Sequence, residues 1–117
     1  MIRGGRVRLG VADVERAVRF YVETLGMKLV EDGGLTHAVI DAGDGLHVEL
    51  AKGAAVHDQG GQSSVTELGL ASKIPLGEAM AILENRGVAL SSSEGGGATR
   101  ARFSDPDGNR LYLFQGH

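Results

Sequence analysis

Asp44-Gly45-Leu46-His47-Val48-Glu49-Leu50 is answered 63 positions later by Asp107-Gly108-Asn109-Arg110-Leu111-Tyr112-Leu113. Each copy opens on a turn dipeptide and continues as an alternation of apolar and polar residues. That pattern predicts a tight turn followed by a half-buried strand. Working outward, Gly26-Met27 is answered by Gly87-Val88 at an offset of 61. The difference of two residues between the offsets is an insertion in a loop, so the chain reads as one unit written twice.

Val7–Val11 alternates and predicts the first strand. Asp13 is placed to cap a helix, because its carboxylate can accept backbone N–H groups of the first turn, and Glu15 there suits the helix dipole. Val14, Ala17, Val18, Tyr21, Val22 and Leu25 follow as a helical stripe, with Arg16, Arg19 and Glu23 on the other side and Gly26 as the stop. Met27–Glu31, Leu35–Ala42 and Leu46–Ala51 predict three strands, separated by Gly33-Gly34 and Gly43-Asp44-Gly45 turns.

Residues 52–64 lack periodicity and read as a connector. The order then repeats. Val65–Ala71 predicts a strand, and Pro75 suits the first turn of a helix whose stripe is Leu76, Ala79, Met80 and Leu83, ending at Gly87. Val88–Leu90, Ala98–Ser104 and Asn109–Gln115 predict three more strands, with Ser91–Gly97 as a mobile loop. The expected fold is α+β: two tandem βαβββ modules, about 7–51 and 65–115, forming curved mixed sheets around a concave cleft within a single domain over 1–117. One helix per module covers one sheet face, and the pairing of two sheets leaves a cleft of the kind that takes small ligands.

Composition sets limits on the function. A chain of 117 residues suits one domain, and 42% apolar residues can supply its core. The sequence has no cysteine, which excludes disulfides, thiol catalysis and Cys-ligated metals. A net charge of −3 without a Lys/Arg block argues against nucleic acid, and no apolar run is long enough to span a bilayer. Met1–Gly5 does not read as a signal peptide, so the expectation is a soluble cytoplasmic protein.

Two local phrases join the repeat. One is Asp13 followed by Phe20-Tyr21 and Leu25-Gly26. The other is Phe103-x-Asp105-Pro106-Asp107-Gly108-Asn109 before the last strand. Both have structural causes, a ring packed on a sheet and a Pro-Asp-Gly turn. Together, in a doubled βαβββ chain, they resemble the glyoxalase/bleomycin resistance/extradiol dioxygenase (vicinal oxygen chelate) superfamily, from about Val7 to Gln115.

The resemblance implies a site. Members that use a divalent metal hold it with residues on the first, fourth, fifth and eighth strands, and these positions map to Arg6, Glu49, Glu67 and Tyr112. Arg6 stands in place of the usual His or Gln, Glu67 in place of His, and Tyr112 in place of Glu. A guanidinium about 4–5 Å from a divalent ion would cost on the order of 5–8 kcal/mol at an effective dielectric of about 20, an upper bound since Arg6 can swing into water. The simpler expectation is that Arg6 replaces the metal's charge and pairs with Glu49, Glu67 or both.

His47 lies two residues before Glu49, so the two share a strand face. It is either a cleft histidine or, with Glu49 and Glu67, part of a rearranged metal site. His37, His57 and His117 read as solvent-facing or structural. Alternation places Arg8, Arg100, Arg102, Arg110 and Phe114 toward the cleft, with Val7, Leu9, Val11, Val48, Leu50, Phe103, Leu111 and Leu113 under the helices.

The expected function is binding of a small polar or anionic organic molecule by Arg6, Arg8, His47, Glu49, Glu67, Arg102, Tyr112 and Phe114, with no metal or other cofactor. One alternative is a metal-dependent lyase, isomerase or dioxygenase using a divalent ion on Glu49 and Glu67; another is a metal-free enzyme with either glutamate as base and Arg6 stabilising the charge. The last is a non-catalytic dimer module. The resemblance also implies a homodimer.

Overall fold

The computed structural model describes residues 1–53, 66–95 and 98–115, and their side chains except at 93–95 and 98. The element order is β1 (Gly5–Val11), α1 (Val14–Arg19), β2 (Lys28–Asp32), β3 (His37–Gly43), β4 (Leu46–Lys52), β5 (Leu68–Ser72), α2 (Leu76–Asn85), β6 (Ser91–Gly95), β7 (Ala98–Ser104) and β8 (Arg110–Gln115). This is the α+β arrangement of two βαβββ modules. Two compact units result. One holds β1 to β4, α1 and the turn Pro106–Asn109; the other holds β5 to β8 and α2.

In the first unit the strands run β1-β4-β3-β2, with β1 parallel to β4 and the other pairs antiparallel. Asp13 caps α1 as expected, its Oδ1 accepting the Arg16 N–H at 3.2 Å. The helix does not stay α-helical to Leu25. From Phe20 to Thr24 it widens into a π-helical turn, with the Leu25 N–H donating to the Phe20 carbonyl at 3.0 Å. Gly26 follows at φ 79°, the left-handed conformation that suits a helix stop. Val14, Ala17 and Tyr21 are buried from the helix, and Val11, Ala38, Ile40, Val48 and Leu50 from the strands. At the β3–β4 hairpin, Asp44 and Gly45 have φ 49° and 83°. Positive φ at both central residues matches the right-handed twist of the flanking strands, and Asp-Gly tolerates it.

The turn Pro106–Asn109 closes onto the loop after β1. The Asp107 carboxylate, 4% exposed, accepts the Ala12 N–H at 2.8 Å and the Arg16 Nη2 at 2.9 Å. Asn109 Nδ2 donates to the Gly10 carbonyl at 3.0 Å. Arg16, expected only on the outer side of its helix, is therefore a partner of this turn.

The second unit has the order β5-β8-β7-β6, with β5 parallel to β8 and the others antiparallel. Its buried side chains include Leu70, Leu83, Ala101, Phe103 and Leu111. Pro75, expected in the first turn of α2, is its N-cap and makes no side-chain cap bond. The Leu76 N–H is taken instead by Gln115 Oε1 at 2.8 Å, and Gln115 Nε2 donates to the Ile74 carbonyl at 3.1 Å.

Two expectations are corrected here. Val88–Leu90 is not a strand, and Ser91–Gly95, expected in a loop, is the edge strand β6. Its Ser91, Ser92 and Ser93 oppose Arg102, Ala101 and Arg100. Backbone pairing to β7 overrides a composition that favours loops, because β propensity is weak against an available sheet edge. Residues 96–97, most of the connector, Val65, His57 and His117 lie outside the described residues, while Lys52 belongs to β4. No helix among the described residues is long and apolar enough to cross a membrane.

Candidate functional site

Strand alternation and register decide which side chains meet. On β1, Arg6 and Arg8 share a face; on β4, His47 and Glu49 do. The parallel register sets Arg6 opposite His47 and Arg8 opposite Glu49. Val7, Leu9, Val48 and Leu50 take the other face, toward α1. Glu49, with 23% of its side chain exposed, then receives two cations. Arg6 Nη1 lies 3.9 Å from Oε1, and Arg8 Nε lies 3.6 Å from Oε2. Both separations are longer than a hydrogen bond, so these are charge contacts. Both arginines are more than half exposed, and such pairs contribute little to stability. His47 has Arg6 on one flank and, across β3, Asp41 on the other.

Glu67 directly precedes β5, one residue short of the strand expected to carry it. It accepts the Arg102 Nε at 3.0 Å, a charge-assisted hydrogen bond within the second unit. Arg6 thus meets Glu49, while Glu67 pairs with Arg102. Arg102 stands opposite Tyr112, and Tyr112 opposite Gly69. A Cβ at position 69 would collide with the Tyr112 ring, so the missing side chain is what lets the phenol lie across β5. The Arg100 guanidinium sits over that ring, 5.2 Å from its centroid. Phe114 continues the surface, its ring 6.0 Å from that of Tyr112.

The site residues expected from the sequence therefore fall into two groups. Arg6, Arg8, His47 and Glu49 share one face of the first sheet, and Glu67, Arg102, Tyr112 and Phe114 share one face of the second. Arg100, placed toward the cleft by its period-two spacing from Arg102 but not counted among the expected binding residues, joins the second group over the Tyr112 ring. Gly69, a lone glycine within a strand, was the signal for a close approach above it. His37 is structural in its hairpin: its Nε2 is 2.9 Å from Glu31 Oε2, its Nδ1 is 3.3 Å from Thr36 Oγ1, and its ring covers Gly33.

A scan against protein-family models matches residues 3–113 to the Glyoxalase/Bleomycin resistance protein/Dioxygenase superfamily. The chain belongs to this superfamily. No curated protein matches it. Among solved structures, a glyoxalase/bleomycin resistance protein from Streptomyces sp. CB03234 is 28% identical, with a TM-score of 0.72 over 96% of this chain and 99% of that one. A superfamily member from Sphaerobacter thermophilus DSM 20745 is 25% identical, with a TM-score of 0.76 over 99% and 98%. A lactoylglutathione lyase from Agrobacterium tumefaciens shares the fold at 15% identity, with a TM-score of 0.76 over 95% and 91%.

The donor set does not fit the divalent ion that many superfamily members hold. Arg6 has no lone pair to give. Glu49 faces two guanidiniums, Glu67 holds Arg102, and the phenol of Tyr112 lies beneath Arg100. Among the described residues, no group of three or more His, Asp or Glu side chains is placed to hold a metal ion.

Proposed function

We propose that this superfamily member binds a small polar or anionic organic molecule on its arginine-bearing sheet faces, without a divalent ion. The observation that carries the reading is Glu49 flanked by Arg6 and Arg8 at the position from which the superfamily's metal is usually held. Two cations on one carboxylate leave a local excess of positive charge. Guanidiniums present planar forks of donors suited to carboxylate or phosphate oxygens. The contacts to Glu49 are long and solvent-exposed, so an incoming anion can engage those donors at modest cost. On the second sheet, Glu67 orients Arg102 beside Tyr112 and Phe114, which adds apolar ring surface for the organic part of a ligand.

Metal analysis of purified protein, after incubation with nickel, zinc, iron and manganese salts and desalting, tests the reading directly. The expected result is far less than one ion per chain. One tightly held ion per chain, lost in Glu49→Gln and Glu67→Gln, would overturn it. In parallel, a thermal-shift panel of small carboxylates and phosphates is expected to include stabilising members whose effect falls in the double variant Arg6→Ala/Arg8→Ala. The proposal includes a homodimer; native mass spectrometry should find twice the 12.2 kDa chain mass.

A further inference from the structure

The geometry points to a seat for a planar aromatic carboxylate on the Tyr112 face of the second sheet. This inference rests on the small-anion reading above and names its ligand class. It starts from alternation along β7, which puts Arg100 and Arg102 on the same face as Tyr112 and Phe114 of β8. The two arginines are then treated differently. Arg102 is tied to Glu67 at 3.0 Å. Among the described side chains, which do not include that of Glu94, no carboxylate lies within ion-pair distance of Arg100. Its charge rests on the face of Tyr112 instead, 5.2 Å from the ring centroid.

That ring is held in place from below. Gly69 opposes Tyr112 in the β5–β8 register, and only a residue without a Cβ leaves room for the phenol. Phe114 stands beside it with ring planes at 47°, so a further ring can meet an aromatic edge as well as a guanidinium face. Arg100, Tyr112 and Phe114 are each half-buried, which weakens the competition from water. A guanidinium has two flat faces and an N–H edge. With one face on Tyr112, the other can stack on a ligand ring while the edge donates to its carboxylate. A bare phosphate uses only the edge, and an aliphatic acid gains nothing from stacking. An aromatic acid uses both.

Isothermal titration calorimetry of the intact protein with 2-naphthoate, cyclohexanecarboxylate and 2-naphthamide tests this. The naphthoate is expected to bind about tenfold or more tighter than either control, a difference of about 1.4 kcal/mol. Arg100→Ala should remove most naphthoate binding. Tyr112→Leu should bring naphthoate and cyclohexanecarboxylate to similar affinities while leaving some binding of both. The wild-type comparison stands even if a variant fails to fold. Equal affinities for the two acids would overturn the aromatic seat and leave the small-anion reading intact. A naphthoate preference that survives both substitutions in folded protein would overturn it too, by placing the ligand elsewhere. If neither acid binds and the carboxylate and phosphate panel is also blank, both readings fall.

Discussion

Arg8 opposite Glu49 in the first unit and Gly69 opposite Tyr112 in the second occupy the same rung of the repeated ladder. One rung carries an exposed charge contact; the other carries a ring laid over a glycine. The backbone pairing is the same, parallel in both cases, yet the chemistry shown on the open face differs completely. A sheet specifies where side chains stand and which face they take, and leaves their identity free. The two helices differ in the same spirit. The first is capped by its own neighbour, Asp13; the second takes its cap from Gln115, 39 residues away on β8.

The largest effect expected from testing this comparison is in the cores. Leu50→Ala removes a fully buried side chain of the first unit and should cost about 2–5 kcal/mol in urea unfolding. Leu83→Ala, at 6% exposure in α2, should fall at or below the lower end of that range, about 2 kcal/mol. A larger loss at Leu83 would reverse the ranking of the two units. Next comes the turn inside the first unit. Asp107→Ala removes the acceptor of the Ala12 N–H and the Arg16 guanidinium, and should cost about 2–3 kcal/mol. The double variant with Arg16→Ala should cost less than the sum of the single losses, because they share a contact. Additive losses would mean that the pair is not coupled.

The caps come third. Asp13→Ala should cost about 1 kcal/mol, and Gln115→Ala about the same, since it also loses a bond to Ile74. A neutral Gln115→Ala would show that the distant cap does not substitute for a local one. The smallest effect is expected at the charge contacts. Arg6→Ala and Arg8→Ala should each change stability by no more than about 0.5 kcal/mol, given their exposure. A loss above that would make the Glu49 cluster a structural clamp and weaken its claim to be a binding surface.

Much of the fold was legible because the decisive signals are local. Alternation at Val7–Val11 and in Leu46–Leu50 placed those strands. The stripe Val14, Ala17 and Tyr21 placed the first helix, although the π turn after Arg19 carried no signal that periodicity alone could resolve. The serine-rich Ser91–Gly95 was misread because its order comes from β7 rather than from its own composition. In the candidate site, a contact of Arg6 with Glu49, Glu67 or both was what the family resemblance implied, and the first sheet supplies the one with Glu49. The preference of Glu67 for Arg102 did not, since several arginines share the required alternation and only the assembled sheet selects one.

By itself, the amino-acid order determined the doubled βαβββ plan, the Asp13 cap, the Asp44-Gly45 hairpin and the polar strand faces. The cap, the hairpin turn and the strand faces depend on interactions spanning a few residues, and the doubled plan was legible because the same local signals recur in the same order at offsets of 61 and 63. Tertiary structure alone decided that Pro106–Asn109 closes on the loop after β1, that Gln115 caps α2, and that Tyr112 lies over Gly69 with Arg100 above it. Those contacts join segments 39 or more positions apart, or depend on which sheet neighbour is present, and such pairings acquire their energy only once the strands are in register.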